Sequence, residues 1–188
     1  LCAMHDLRSV STTMGFSALD GLMMGTRSGS LDPGAVIYLM EIEKLSLEEV
    51  GRVLYHESGL LGVSGVSSDP RVLLPRESED DRVALALALY VRRIVREIGG
   101  LAAVLGGLDM LAFTAGIGEN NPTIRERVCA GLAYLGVALD EADNAAGRPV
   151  ISTAESRVKV VVEPTNEEWI AARHGAQLLS RGRAASGG

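Results

Sequence analysis

Leu108 to Val128 reads LDMLAFTAGIGENNPTIRERV. An apolar run too short for a helix stops abruptly at glycine, and a helical pattern then restarts with Pro122 in its first turn. Strand, corner and helix in this order are the building unit of a sheet covered by helices. The corner itself, FTAGIGENN (Phe113–Asn121), holds two glycines, a carboxylate and two amides. At such a corner the first backbone N–H groups of the helix are free to hold an anion or a ribose. Gly116 and Gly118 allow positive φ and close approach of a ligand to the backbone, while Glu119 and Asn120 add hydrogen-bonding side chains. The alternative is a tight turn with a capping asparagine and no ligand. The spacing is not G-x-G-x-x-G, so a dinucleotide fingerprint is not supported.

Outward from this corner, strands and helices alternate through the second half of the chain. Residues 78–98 are the clearest helix, with Val83, Leu87, Val91, Ile94 and Ile98 forming one apolar stripe and Gly99-Gly100 expected to stop it. A short helical segment is expected in LAAVLGG, a strand in RVKVVVE and a closing helix in NEEWIAARHGAQLLSR. Together these predict an α/β domain with helices on a mostly parallel sheet. In the first half, LCAM and SVSTT read as a hairpin, although MHDLRSV lacks the Asn-Gly turn such a hairpin favours. Asp32-Pro33 and Ser46 with Glu49 mark two helix starts. GFSALDGLMMGTRSGS reads as loop with a short helix, and SGLLGVSGVSSDPR as loop.

The 188 residues are enough for one sizeable domain. A net charge of -6 and 4% aromatic residues argue against a nucleic-acid footprint. No segment is apolar and long enough to span a bilayer, and Cys2 and Cys129 read as reduced, partly buried thiols, so the cytoplasm is expected. His5, His56 and His174 have no metal-ligand spacing.

Three further stretches carry chemistry. Arg27 lies in a glycine-flanked loop, where a guanidinium can clamp phosphate or carboxylate oxygens; the alternative is a surface arginine at a helix end. Asp69, Pro70 and Arg71 follow a serine-rich loop: an aspartate can read a ribose hydroxyl and an arginine can cover an adenine face, or the segment is an exposed turn. Glu167 and Glu168 open the last helix, where acids suit the helix dipole and a carboxylate could also serve Mg²⁺.

In this order, TTMGFSALDGLMMGTRSGSLDPG, ESGLLGVSGVSSDPR, LGGLDMLAFTAGIGENNPTIRERV and VVVEPTNEEWIAA resemble the acetokinase family, the acetate, propionate and butyrate kinases. The resemblance runs from Ser9 to Ala172 and is to the C-terminal half of the family. It implies an actin/sugar-kinase/Hsp70-type (ribonuclease H-like) ATPase fold, a mixed sheet flanked by helices. Residues 1–180 would form the nucleotide-binding domain, the N-terminal domain being absent, and 181–188 a disordered tail. The implied reaction is reversible Mg²⁺-dependent phosphoryl transfer from ATP to acetate, giving acetyl phosphate and ADP, in a homodimer. Arg27 would stabilise the transferring phosphoryl group. Asp69, Pro70 and Arg71, with Gly116, Ile117, Gly118, Glu119 and Asn120, would line the adenosine site, and Glu167 would serve the metal. The family's phosphate loop, metal-site Asn, acetate-binding Arg, catalytic Asp and phosphoryl-facing His have no counterpart in the chain. The other expectation is therefore a nucleotide-binding or dimerisation module without turnover.

Overall fold

The structure, a computed structural model, describes residues 1–185, with the side chains of Glu167 and of residues 180–185 outside the described part. The chain opens with the expected antiparallel hairpin of β1 (Cys2–His5) and β2 (Arg8–Thr12). Its turn residues Asp6 and Leu7 have φ of 48° and 59°, the mirror-image turn that suits strand twist. A loop with no helix of its own leads to α1 (Pro33–Glu41), where the Asp32 carboxylate accepts from the Gly34 N–H at 2.8 Å. The capping box is present too. Ser46 accepts from the Glu49 N–H at the start of α2 (Leu47–His56), and the Glu49 carboxylate accepts from the Ser46 N–H at 2.8 Å.

Two further segments differ from the sequence reading, besides the loop before α1, expected to hold a short helix. SGLLGVSGVSSDPR is not loop: it forms α3 (Gly59–Ser64) and α4 (Pro70–Leu73), followed by a 3-10 turn at Leu74–Arg76. Leu60 and Leu73 are fully buried there, so burial against the core, not local propensity, folds these turns. The long helix α5 (Asp81–Leu105) runs straight through Gly99-Gly100 and absorbs the segment expected to be separate. Two helix glycines cost about 1 kcal/mol each relative to alanine, but Ile98 and Ala102 on either side of them are buried. The helix stops at Gly106, whose φ of 77° lets the Gly106 and Gly107 N–H groups return to the carbonyls of Ala103 and Ala102.

The remainder is β3 (Met110–Phe113), α6 (Ala115–Asn120), α7 (Pro122–Gly131), a 3-10 turn at Ala133–Leu135, α8 (Glu141–Ala145), β4 (Lys159–Val162) and α9 (Glu167–Ala185). β3 and β4 pair in parallel, Met110 opposite Lys159 and Phe113 opposite Val162. On its other edge β4 takes an antiparallel bridge from Val150 at Val161. The expected mostly parallel sheet is thus one parallel pair with an antiparallel fringe, and helices flank it. α9 continues through Ala185, so the segment expected to be a disordered tail is helical from Arg181 to Ala185; residues 186–188 lie outside the described residues.

The core is a single cluster built on α5. Val83, Ala86, Leu87, Tyr90, Ile94 and Ile98 pack with Leu60 and Leu73, with Val128 and Leu132 beside α7, and with Ile151, Val158 and Val160 under the sheet. α5 touches β1, β2, α3, α4 and α7. The α4 turn packs on it directly, and the β3–α6 corner adjoins it through α7.

Candidate functional site

The corner quoted at the outset folds as read, with one change in its mechanics. α6 follows β3 directly, Thr114 standing between them. The residue with positive φ is Ala115, at 60°, and neither Gly116 nor Gly118. An alanine in the left-handed region stores about 1 kcal/mol of strain, a feature that gathers at ligand sites. The two glycines serve differently. A Cβ on Gly118 would rest 3.4 Å from the Phe113 carbonyl carbon, an ordinary contact, and a Cβ on Gly116 would meet nothing within 4 Å.

That open space is a cleft of about 360 Å³, lined by Ser68, Asp69, Pro70, Arg71, Gly116, Ile117, Asn120 and Asn121. Its volume lies within the ~300–1,000 Å³ of small-molecule sites. Two stretches nearly fifty residues apart in the chain are thus its two walls. Asp69 caps α4 and binds Arg71 closely: the Arg71 Nε lies 3.1 and 3.0 Å from the two carboxylate oxygens and Nη2 lies 2.6 Å from Oδ2. Arg71 hydrogen bonding holds the Asp69 carboxyl below its ordinary range and raises the arginine in turn. Asp69 therefore orients the guanidinium at the cleft wall, and its oxygens are taken up by that task. The Asn120 amide donates to the Gly116 carbonyl at 2.9 Å. Gly118 and Glu119 do not line the cleft.

Arg27 also stands outside the cleft, half-buried on a loop held from beneath. The Leu60 and Leu61 N–H groups at the start of α3 donate to the carbonyls of Met24 and Gly25, and the Ser58 N–H to Thr26. Nη1 of Arg27 reaches the Ala18 carbonyl at 3.4 Å. The loop meets the cleft at one point, where a Cβ on Gly25 would come 2.9 Å from the Ser68 carbonyl oxygen. Glu167 is the first residue of α9, and its side chain lies outside the described residues. Among the described residues no group of three or more His, Cys, Asp or Glu side chains could hold a metal ion.

Sequence reasoning missed four residues. Ser68 and Asn121 line the cleft, and the buried Asn121 side chain also caps α7 by accepting from the Ile124 N–H at 3.0 Å. The Asn-Pro pair was the legible sign of that cap. Arg125 is 1% exposed and donates to four uncharged oxygens: Asn144 Oδ1 and O, and the carbonyls of Gly118 and Glu119 at 3.0 and 2.8 Å. It closes the open carbonyl end of α6, a helix too short to hold itself. Thr165 is bound to Glu119, as developed below. Nothing in a Thr-Ile-Arg-Glu helix start distinguishes a buried arginine from a solvated one.

The profile of the Acetokinase family matches residues 1–173. The chain belongs to the acetokinase family. It is 52% identical over 185 residues to an acetate kinase of Rhodopseudomonas palustris (strain TIE-1), covering 97% of this chain and 46% of the relative. Its fold is similar to that of Porphyromonas gingivalis acetate kinase, with TM-score 0.87 and 40% identity over 95% of this chain and 46% of that one. A propionate kinase from Francisella tularensis has TM-score 0.83 and 35% identity, over 89% and 43% of the two chains. The chain spans about half the length of the relatives it matches. These likenesses bear out the expected actin/sugar-kinase/Hsp70-type α/β fold.

Proposed function

We propose that this chain carries the adenine-nucleotide side of an acetate kinase, which transfers a phosphoryl group reversibly between ATP and acetate. The observation that carries the proposal is Gly116. It lies on a cleft wall, has no positive φ and would meet no protein atom with a Cβ. Neither backbone geometry nor packing requires a glycine there, whereas an occupant pressed against the α6 backbone would. Asp69 and Pro70 hold Arg71 on the opposite wall, where its guanidinium plane suits an adenine face. Gly116, Ile117 and Asn120 would meet the nucleoside, with Gly118 and Glu119 supporting them from behind.

Phosphoryl transfer depends on positioning and on stabilising charge over in-line oxygens. Arg27 would supply one such charge, on a loop fixed by α3 and adjoining the cleft through Ser68. Glu167 would be this chain's contribution to a Mg²⁺ site completed by groups outside it, so we route no step through the metal. We take the chain to be the C-terminal portion of the enzyme, in a cytoplasmic homodimer, from the order of its motif blocks. An in-frame extension upstream of the Leu1 codon, encoding the acetate-binding part, would support this assignment; an in-frame extension only downstream would overturn it.

A binding or dimerisation module without turnover is the second reading, and one observation favours it. No residue of α1 is buried, and Ile37 and Ile42 beside it are 56% and 61% exposed. An apolar helix covered only in part, by α2, suits self-association.

The test is Gly116→Ala, followed by calorimetric titration with ADP and by thermal unfolding. The variant should unfold no more easily than wild type, since alanine is favoured in a helix by up to ~1 kcal/mol. ADP affinity should fall by about tenfold or more, the equivalent of ~1.4 kcal/mol. Unchanged affinity would sink the nucleotide reading. Formation of acetyl phosphate by the chain, measured in a coupled assay, separates enzyme from module.

A further inference from the structure

Glu119 belongs to the corner but faces away from the cleft. Its Oε1 accepts from the Thr165 backbone N–H at 2.9 Å and from the Thr165 hydroxyl at 3.0 Å. Thr165 stands in the turn between β4 and α9, two residues before Glu167. The last tie of that turn to the sheet is the Glu163 N–H on the Phe113 carbonyl, at 2.8 Å. The next tie forward lies within α9 itself, where the Trp169 N–H donates to Asn166 Oδ1 at 3.2 Å. Pro164 has no N–H to give. Among the described residues, the turn between sheet and helix is therefore held by Glu119. On the inner side, the carbonyl of the same residue is held by the buried Arg125 at 2.8 Å. Residue 119 joins three pieces: α7 through Arg125, the cleft wall through α6, and the entrance of α9 through its carboxylate.

We propose that Glu119 is a positioning residue, a clasp that couples occupancy of the cleft to the placement of the first turn of α9. This rests on the nucleotide reading of the cleft given above. An occupant that fixes α6 also fixes the Glu119 side chain, and with it Thr165. By reciprocity, any event that orders the start of α9 strengthens binding in the cleft by the same factor. A carboxylate just before the first helical turn also complements the helix dipole, so the clasp holds α9 by charge as well as by hydrogen bonds. Bonds from Thr165 above all, and from the Ala115 backbone at the start of α6, hold the Glu119 carboxyl below its ordinary value of 4.5. The clasp is accordingly whole above that value and is lost as pH falls through the depressed one.

The experiment compares the chain with Glu119→Ala, Glu119→Gln, Thr165→Val and the double variant E119A/T165V. Amide hydrogen exchange is read without nucleotide, and ADP affinity by calorimetry. Glu119→Ala should speed exchange at Thr165 and in the first turn of α9, leave α5 unchanged, and weaken ADP by at least about fivefold, the lower end of site-to-site coupling. Glu119→Gln keeps an acceptor at the same place and should restore part of both. Thr165→Val removes one of the two bonds and should weaken ADP less, and the double variant should bind no worse than Glu119→Ala alone. A Glu119→Ala chain that loses ADP affinity with unchanged exchange at Thr165 would make the carboxylate a direct ligand contact and overturn the clasp. Additive losses in the double variant would overturn it as well. Normal ADP uptake with unaltered affinity in Glu119→Ala overturns the coupling alone. Failure of the wild-type chain to take up ADP overturns the nucleotide reading and the coupling together.

Discussion

Cys129 and Cys2 show how far environment separates two identical side chains. Cys129 is 2% exposed, and burial pushes its thiol up to about 12. Cys2 is exposed, against the sequence expectation of partial burial. Thiolate is the reactive form, so at pH 8 Cys129 stays protonated and shielded. An aromatic disulfide reagent should titrate one thiol per native chain, at Cys2, and two in denaturant; rapid labelling of Cys129 in the native chain would contradict the packing of α7. At the corner, the sequence allowed a left-handed backbone at Gly116 and Gly118, and the structure places it at Ala115 instead. Which member of Thr-Ala-Gly-Ile-Gly turns left-handed is decided by how Phe113 and Ile117 seat against the core, and local preference for glycine does not report that. Arg125 was illegible for the same reason: its burial is created by Asn144, nineteen residues later.

Among the elements, helix starts were legible because capping is local. Asp32 with Pro33, and Ser46 with Glu49, specify their helices within four residues. Elements made by tertiary burial were not. α3 has a composition of turns, and α5 continues through a glycine pair because its far end packs. α3 yields a sharp prediction. Gly59 has φ of 65°, and a Cβ there would lie 2.2 Å from the Met24 carbonyl oxygen. Gly59→Ala should destabilise the chain by about 3 kcal/mol, combining left-handed strain with a backbone clash. Urea unfolding measures this. A loss below about 0.5 kcal/mol, the ordinary range of a surface substitution, would show that the Arg27 loop is not clamped to α3. Because that loop meets Ser68, the same variant should also loosen one wall of the cleft.

At the scale of the whole molecule, the resemblance led to the expectation that the four motif blocks form one site, and their arrangement emerged only in three dimensions. Asp69 to Arg71 share a cleft with Gly116, Ile117, Asn120 and Asn121, Gly25 on the Arg27 loop lies against Ser68, and Thr165, two residues before Glu167, is bonded to Glu119. The uncovered face of α1 carries the prediction that belongs here. Ile37→Glu should shift the proposed homodimer to monomer in sedimentation velocity while changing the unfolding midpoint of the monomer little, since Ile37 is more than half exposed. A wild-type chain that sediments as a monomer at all concentrations would refute the dimer. A different consequence follows from the pairing of β3 with β4. Met110 and Lys159 are roughly 50 residues apart in the chain, and contacts so distant form slowly because loop entropy must be overcome first. The hairpin and α5 need only neighbours in sequence. Closing the β3–β4 pair is therefore the step that local structure does least to prepare, and in refolding from urea amide protection in β3 and β4 should appear after that in α5; simultaneous protection would contradict this order.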